Sequence, residues 1–203
     1  MNDHEILEVI RNQLVVCDEK TGLKGNDLPI YLMNSLNIMG QFHYNCKFGF
    51  NRPLFTDPDP AIKDNDLISY VILHEYAHYI NYAQYGETGH GWWFKHCCKM
   101  LDTYPDEYLY DLLRQFTAKW SKLSEMDVKD FISRTLPKGS RKNSLYNACT
   151  SHNLNTMFEI CSYDFSDLRQ ILMLSSNVGV KSMELFSDAL NEFKHDFFSH
   201  NHI

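Results

Sequence analysis

One stretch of this 203-residue sequence, LISYVILHEYAHYINYA at residues 67–83, decides how the chain is interpreted. Its apolar residues recur at helical spacing and glycines follow it, which predicts a helix. Because a turn takes about 3.6 residues, His74 and His78 project from one face and can both reach one metal ion. Glu75 leans to the side of that face, where a carboxylate can accept a proton from water without binding the metal. Two buried histidines with nothing to bind would be costly, which favours a metal site over two surface histidines.

A third ligand is expected after a turn of the chain, since zinc held by two imidazoles needs at least one more protein ligand. Gly89-His90-Gly91 is the favoured candidate, because glycines on both sides let the backbone approach a metal closely. His96 competes for this role, although it could equally be a packed core histidine. Trp93 or Phe94 would fix the next helix, predicted over Trp92–Leu101, against the site. The residues thus predict one Zn²⁺ ion.

HEYAH at 74–78, followed by GHGWWFKHCCKML at 89–101, resembles the SprT-like zinc metallopeptidases. The resemblance covers about residues 1–120 and implies a minimal zincin-like metallopeptidase domain. It also implies zinc on His74, His78 and His90, with Glu75 as the general base. Related members cleave proteins crosslinked to DNA. Many bacterial relatives carry a C-terminal zinc ribbon, which the cysteine spacing of this chain cannot build.

The sequence does not identify the residue that would stabilise the oxyanion of the reaction. A tetrahedral intermediate needs a second donor besides the metal. The residues near enough in sequence to supply one are Tyr79, Tyr82, Tyr85 and His96.

The rest of the chain predicts an α+β protein in two domains. Before the helix that carries His74 and His78 we expect helices over 4–16 and 29–39 and a small antiparallel sheet over 41–55. Asp64 or Asp66 is expected to cap the helix that carries the histidines. A further helix is expected from Pro105. The predicted domains are a metallopeptidase domain at 1–125, a linker at 126–142 and a small all-α domain at 143–203. The last would hold four short helices, over 143–151, 155–161, 165–174 and 180–195.

The tail contains the turn NVGVKS at 177–182, in which a glycine precedes a helix and leaves backbone N–H groups free for a phosphate. This is helix-hairpin-helix chemistry, and Lys181 would add charge. The tail, over about 140–198, resembles the C-terminal domain of the bacterial RNA polymerase alpha subunit. That resemblance implies a domain that contacts DNA backbone or regulatory proteins. Val180 and Ser144 stand where that family has basic residues, and the candidate contacts are Arg141, Lys142, Gly179 and Lys181.

Composition and charge bound the function. The net charge is −7, residues 1–127 carry 11 basic and 18 acidic residues, and residues 128–203 carry 8 of each. A protein that binds nucleic acid by charge alone would be basic, so any such contact must be local. The six cysteines form no CxxC pair, which favours free thiols over disulfides or a zinc ribbon. No apolar run is long enough to cross a membrane and the N-terminus lacks a signal pattern, so a cytoplasmic protein without membrane contact is expected.

The prediction is a zinc-dependent endopeptidase of the HExxH type. Its substrates would be proteins, including DNA-bound or transcription-related ones, and its C-terminal domain would target it to DNA, RNA polymerase or other transcription proteins. The alternative is a non-catalytic, zinc-containing adaptor or transcription regulator that acts through its C-terminal domain. A third hypothesis is a self-cleaving or partner-regulated protease, cut near residues 124–142.

Overall fold

The structure is a computed structural model that describes residues 1–59, 62, 66–103, 110–138, 141–175 and 178–200. The fold is α+β, with many helices and one three-stranded sheet. The chain divides into two compact units, Asp3–Arg114 and Gln115–Ile203.

The first unit is built on a long central helix. Its elements are α1 (Asp3–Thr21), β1 (Ile30–Met33), β2 (Gly40–His43), β3 (Lys47–Asn51), α2 (Arg52–Thr56), α3 (Leu67–Tyr85), α4 (Trp92–Met100) and the start of α5 (Tyr110–Ser124). Helix α3 packs on α1, on β2 and on α4. The helices predicted over 4–16, 67–83 and Trp92–Leu101 are confirmed, because one apolar stripe per helix is enough to fix each of them.

The sheet has the order β1-β3-β2, so β2 lies at one edge. Strands β2 and β3 are antiparallel, as predicted, with Phe42 opposite Phe48. Phe42, Phe48 and Phe50 are all buried. Their alternation with smaller or polar residues is the period-two pattern of a strand, although in the central strand β3 the alternating residues Gly49 and Asn51 are buried as well.

The helix predicted over 29–39 is wrong. Residues 30–33 form β1, which pairs in parallel with β3. The loop that follows is held by Asn51, whose side chain accepts from Ser35 N (2.9 Å) and donates to Ser35 O (2.8 Å). The backbone N–H and C=O groups of residues 30–33 form hydrogen bonds with β3, a strand that comes later in the chain. In a helix the same groups would have bonded within the segment.

Of the residues predicted to begin helices, one lies within the part of the chain that the structure describes. Asp66 is the residue before α3 but has a left-handed backbone conformation and makes no side-chain capping hydrogen bond. Asp64 and Pro105 lie outside the described residues.

The second unit is helical. It contains most of α5, then α6 (Val128–Thr135), α7 (Lys142–Ser151), α8 (Met157–Cys161), α9 (Phe165–Met173) and α10 (Val180–His200). The last four confirm the four short helices predicted for the tail. Asp127 caps α6 by accepting from Lys129 N and Asp130 N, and Thr156 with Glu159 forms a capping box at α8.

The compact units of the structure can be set beside the predicted domains. The range 126–142, expected to be a linker, contains α6, and the division of the chain falls earlier, between Arg114 and Gln115. Trp120 accounts for the earlier division, because its buried ring packs against Phe158 and Phe198 of the second unit. No helix among the described residues is long and apolar enough to cross a membrane.

Candidate metal centre

Three histidines of the first unit converge on one point. His74 and His78 lie one turn apart on α3, and each of them, like His90, offers a ring nitrogen within 4.8 Å of those of the other two. The Nε2 atoms of His78 and His90 are 3.0 Å apart. Two imidazoles on one tetrahedral zinc, with Zn–N about 2.0–2.1 Å, would place their nitrogens roughly 3.3 Å apart. The donor set and its spacing therefore fit a zinc ion.

The turn between α3 and α4 brings His90 back to the helix. Gly86 ends α3 with φ +66°, and its N–H donates to Tyr82 O (3.0 Å). Gly89 has φ +84°, a conformation that a residue with a Cβ rarely adopts. Asn81, buried on α3, donates from Nδ2 to Gly89 O (3.4 Å). This contact ties the loop to α3 beside His90.

Phe94 is the packing residue of the centre. It is fully buried, and its ring centroid lies 4.3 Å from that of His78, 4.6 Å from that of His90 and 5.0 Å from that of His74. Of the two residues predicted to fix α4 against the site, Phe94 does so, whereas Trp93 stacks on Tyr85. The apolar ring limits the orientations open to the imidazoles.

The electrostatics favour a neutral imidazole at His78. Burial, together with the nearby His74 and His90, lowers the pKa of His78 to about 3. His78 Nδ1 is buried, with no hydrogen-bond partner among the residues that the structure describes. Neutral imidazole is the form that binds zinc, so this site needs no proton loss from His78 at neutral pH.

Glu75 is held at the edge of the sheet. Its side chain is buried, and Oε2 accepts a hydrogen bond of 2.7 Å from the backbone N–H of Phe42 on β2. Burial raises the pKa of Glu75 to about 7, while the hydrogen bond from Phe42 opposes that rise. A general base works best when its pKa is near the operating pH. A divalent cation in the triad would lower this pKa by favouring the carboxylate.

Gly40 makes this position of Glu75 feasible. A Cβ atom at Gly40 would lie 2.7 Å from Glu75 Cγ, 3.0 Å from Glu75 Oε1 and 2.8 Å from Val71 Cγ1. A side chain at residue 40 would therefore compete with Glu75 for the same space. Gly40, Phe42 N–H and Asn81 were not found from the sequence, because each acts on the centre through a contact between distant segments.

The other candidates from the sequence lie elsewhere. His96 is exposed, stacks parallel to Trp92 with ring centroids 5.7 Å apart, and is neither a core residue nor part of the triad. Tyr79 and Tyr82 pack against Phe42, and Tyr85 against Trp93. The tyrosines that share a cavity with His74 and Glu75 are instead Tyr70 and Tyr110.

The second unit has a basic cavity of its own, of about 560 Å³. Its described lining residues are Pro137, Lys138, Arg141, Gly179, Val180, Lys181, Ser182 and Leu185. Three of the four predicted contacts, Arg141, Gly179 and Lys181, therefore share one cavity with Lys138. Lys142 does not line it, and its ammonium donates to Ser133 O (2.8 Å).

Three imidazoles, two on α3 and one on the turn that follows it, lie beside a buried carboxylate and form a donor set that could hold a metal ion. Residues 25–113 match the SprT-like family, a family of zinc-metalloprotease-like domains, and the match includes the triad and Glu75. No curated protein matches the chain, and no solved structure matches it.

Proposed function

We propose that the first unit is a zinc-dependent endopeptidase domain of the zincin type. The single observation that carries the proposal is the convergence of His74, His78 and His90 to within 4.8 Å, with the buried carboxylate of Glu75 next in the chain to the first of them. The similarity of residues 25–113 to the SprT-like family supports the same chemistry.

Each residue has a role in this proposal. His74, His78 and His90 would hold one zinc ion, which when bound supplies a Lewis acid for a peptide carbonyl and lowers the pKa of a water. Glu75 accepts the proton of the attacking water and passes it to the leaving amine. Phe42 N–H and the absence of a side chain at Gly40 keep the carboxylate in place.

The test is a comparison of Glu75→Gln with the wild-type protein. The variant keeps the shape of the side chain and loses the basic group, so we expect full zinc content and loss of proteolysis. Zinc content is measured by mass spectrometry of the purified protein. Proteolysis is measured on a DNA-binding substrate protein, once in the presence and once in the absence of DNA. His96→Ala, which alters an exposed histidine outside the triad, is the control. Proteolysis by Glu75→Gln at the wild-type rate would refute the assigned base.

A second candidate function concerns the second unit. The cavity that gathers Lys138, Arg141 and Lys181 beside the start of α10 favours contact with DNA backbone or with an acidic protein surface. In that case the unit would target the peptidase, or the whole chain would act as an adaptor or transcription regulator. The helix-hairpin-helix resemblance of the tail supports the same proposal.

The test of this second function is a charge reversal with a matched control. Lys181→Glu is expected to weaken binding of a fluorescent DNA duplex and to reduce its dependence on salt concentration, because one phosphate contact is lost. Arg169→Glu makes the same change of charge at an exposed site outside the cavity and is expected to have little effect. Equal effects of the two variants would show that only net charge matters. No DNA binding by the wild type would leave the protein-docking form of the proposal, tested with RNA polymerase.

A further inference from the structure

The cavity of the second unit, about 560 Å³ in volume, gathers positive charge that nothing in the fold neutralises. Lys138, Arg141 and Lys181 line it, and no carboxylate is among its described lining residues. Within the described part of the chain, none of these three charged groups is paired with a carboxylate or with another hydrogen-bond acceptor. Arg134 of the same unit, by contrast, lies 3.8 Å from Asp130. The three cations of the cavity are therefore available to an anion.

The first turn of α10 lines the same cavity, through Val180, Lys181 and Ser182. The N–H groups of Ser182 and Met183 bond to Gly179 O, at 3.0 and 3.2 Å. Those of Val180 and Lys181 have no backbone acceptor among the described residues. Free N–H groups at the start of a long helix, together with the positive end of its dipole, favour a bound anion.

A buried hydroxyl gives the cavity a further donor. Ser182 is only 7% exposed, and its hydroxyl has no hydrogen-bond partner among the residues that the structure describes. Ser162, another buried serine of this unit, instead donates to Phe158 O (2.6 Å). A buried polar group without a partner is costly unless a water or a ligand satisfies it. The hydroxyl of Ser182 is therefore better explained by a ligand than by the fold.

The cavity is larger than a phosphate group and has apolar walls as well as cations. Its volume of about 560 Å³ lies within the range of about 300–1,000 Å³ that is typical of small-molecule sites. Pro137, Val180 and Leu185 contribute apolar surface. A bare inorganic anion would leave this surface uncovered, so the cavity suits an anion that carries an organic group.

We propose that this cavity binds a phosphate monoester of about the size of a mononucleotide. The phosphate would lie at the cations and the start of α10, and the organic part would lie against the apolar surface. A free nucleotide and the 5′-phosphorylated end of a DNA strand both carry this group. The proposal rests on the basic cavity of the second candidate function and deepens it by naming the group that is recognised. A monoester phosphate carries about −1.5 to −2 charges at pH 7, whereas a phosphate within the DNA backbone carries one.

The charge of the rest of the unit supports a ligand that enters the cavity over a duplex that lies across the surface. Residues 128–203 carry 8 basic and 8 acidic residues. Three of the basic residues line the cavity, which leaves five basic against eight acidic residues elsewhere. A bound duplex needs cations along its backbone, and this remaining surface would repel it. A phosphate inside the cavity meets the cations alone.

The experiment measures the affinity of the full chain for adenosine 5′-monophosphate, adenosine and inorganic phosphate by calorimetry. We expect the monophosphate to bind at least about tenfold more tightly than the other two, because adenosine lacks the charge-assisted hydrogen bonds and inorganic phosphate lacks the apolar contacts. A 12-nucleotide DNA strand with and without a 5′-phosphate distinguishes the two sources of the group. A tenfold preference for the phosphorylated strand assigns the strand end, and equal affinities with tight binding of the monophosphate assign the free nucleotide.

Two matched pairs of variants locate the site. Ser182→Ala removes a hydroxyl without a partner, so we expect unchanged stability and a monophosphate affinity that falls about 3- to 10-fold. Ser162→Ala removes a bonded hydroxyl and is expected to do the opposite, lowering stability and leaving the affinity unchanged. Lys181→Gln should weaken binding at least about tenfold, whereas Arg169→Gln, at an exposed site outside the cavity, should not.

The outcomes separate this proposal from the function on which it rests. A chain that binds duplex DNA but binds the monophosphate no more tightly than adenosine would overturn the monoester site and leave the second candidate function standing. Equal losses of affinity in Lys181→Gln and Arg169→Gln would overturn the site as well. A loss of stability in Ser182→Ala without a loss of affinity would show that this hydroxyl serves the fold.

Discussion

Replacing Gly40 with alanine should damage the centre without touching a metal ligand. The new Cβ would lie 2.7 Å from Glu75 Cγ, whereas ordinary contacts begin near 3.4 Å. Glu75 or β2 must therefore move by roughly 0.7 Å, the difference between these distances. A misplacement of about 1 Å at a reacting group can cost about a hundredfold in rate, so we expect kcat/KM to fall roughly 10- to 100-fold.

The same substitution should lower stability only moderately. Overpacking a tight site costs about 1–3 kcal/mol. Alanine also restricts the unfolded chain, which offsets about 0.4–1 kcal/mol of that cost. The net loss in the free energy of unfolding, measured by urea denaturation, is then between about 0 and 2.6 kcal/mol. Zinc content should stay at the wild-type level, because the three imidazoles are not displaced.

Gly179→Ala is the control, since a Cβ there meets nothing within 4 Å and its φ is not left-handed. We expect it to leave peptidase activity on a substrate without DNA nearly unchanged, although alanine is a poorer residue than glycine before α10 and can lower stability slightly. A Gly40→Ala protein with reduced stability and wild-type kcat/KM would refute the reasoning, because it would show that the contact between β2 and Glu75 does not hold the base. In a Glu75→Gln background, Gly40→Ala should cause no further loss of activity.

Further predictions concern the third ligand, the loop and the thiols. His90→Ala should weaken zinc binding at least about a hundredfold and His96→Ala should not, as measured by competition with a chelator; the reverse order would transfer the ligand role. Asn81→Ala should weaken zinc binding about 10- to 100-fold, the range for residues that orient ligands, and an unchanged affinity would remove Asn81 from the site. Burial raises the pKa of Cys149 to about 12, so at pH 8 the native protein should be alkylated faster at the half-buried Cys46 than at Cys149, as followed by peptide mass mapping. Equal rates would contradict the buried position of Cys149.

The helices could be predicted from the sequence because each depends on a local pattern. Strand β1 could not, since Ile30–Met33 gains its hydrogen bonds from β3, a segment that begins 14 residues later. The division of the chain between Arg114 and Gln115 has no local signature for a similar reason. Trp120 looks like one more apolar residue of a helix until Phe158 and Phe198 are seen to pack on it.

The centre shows the same contrast. The histidine pair on α3 follows from the geometry of one helix, and His90 from its glycine neighbours. The position of Glu75 depends on Gly40 and on Phe42 N–H, which lie more than 30 residues earlier in the chain. No local pattern marks a glycine whose missing side chain makes room for a distant carboxylate.

The most direct test of the metal centre is X-ray absorption spectroscopy at the zinc edge, combined with the zinc content of the purified chain. One zinc per chain is expected, bound by three imidazole nitrogens at about 2.0–2.1 Å and by one oxygen from solvent. A chain without zinc, or a zinc ion held by four protein side chains with no place for water, would contradict the account.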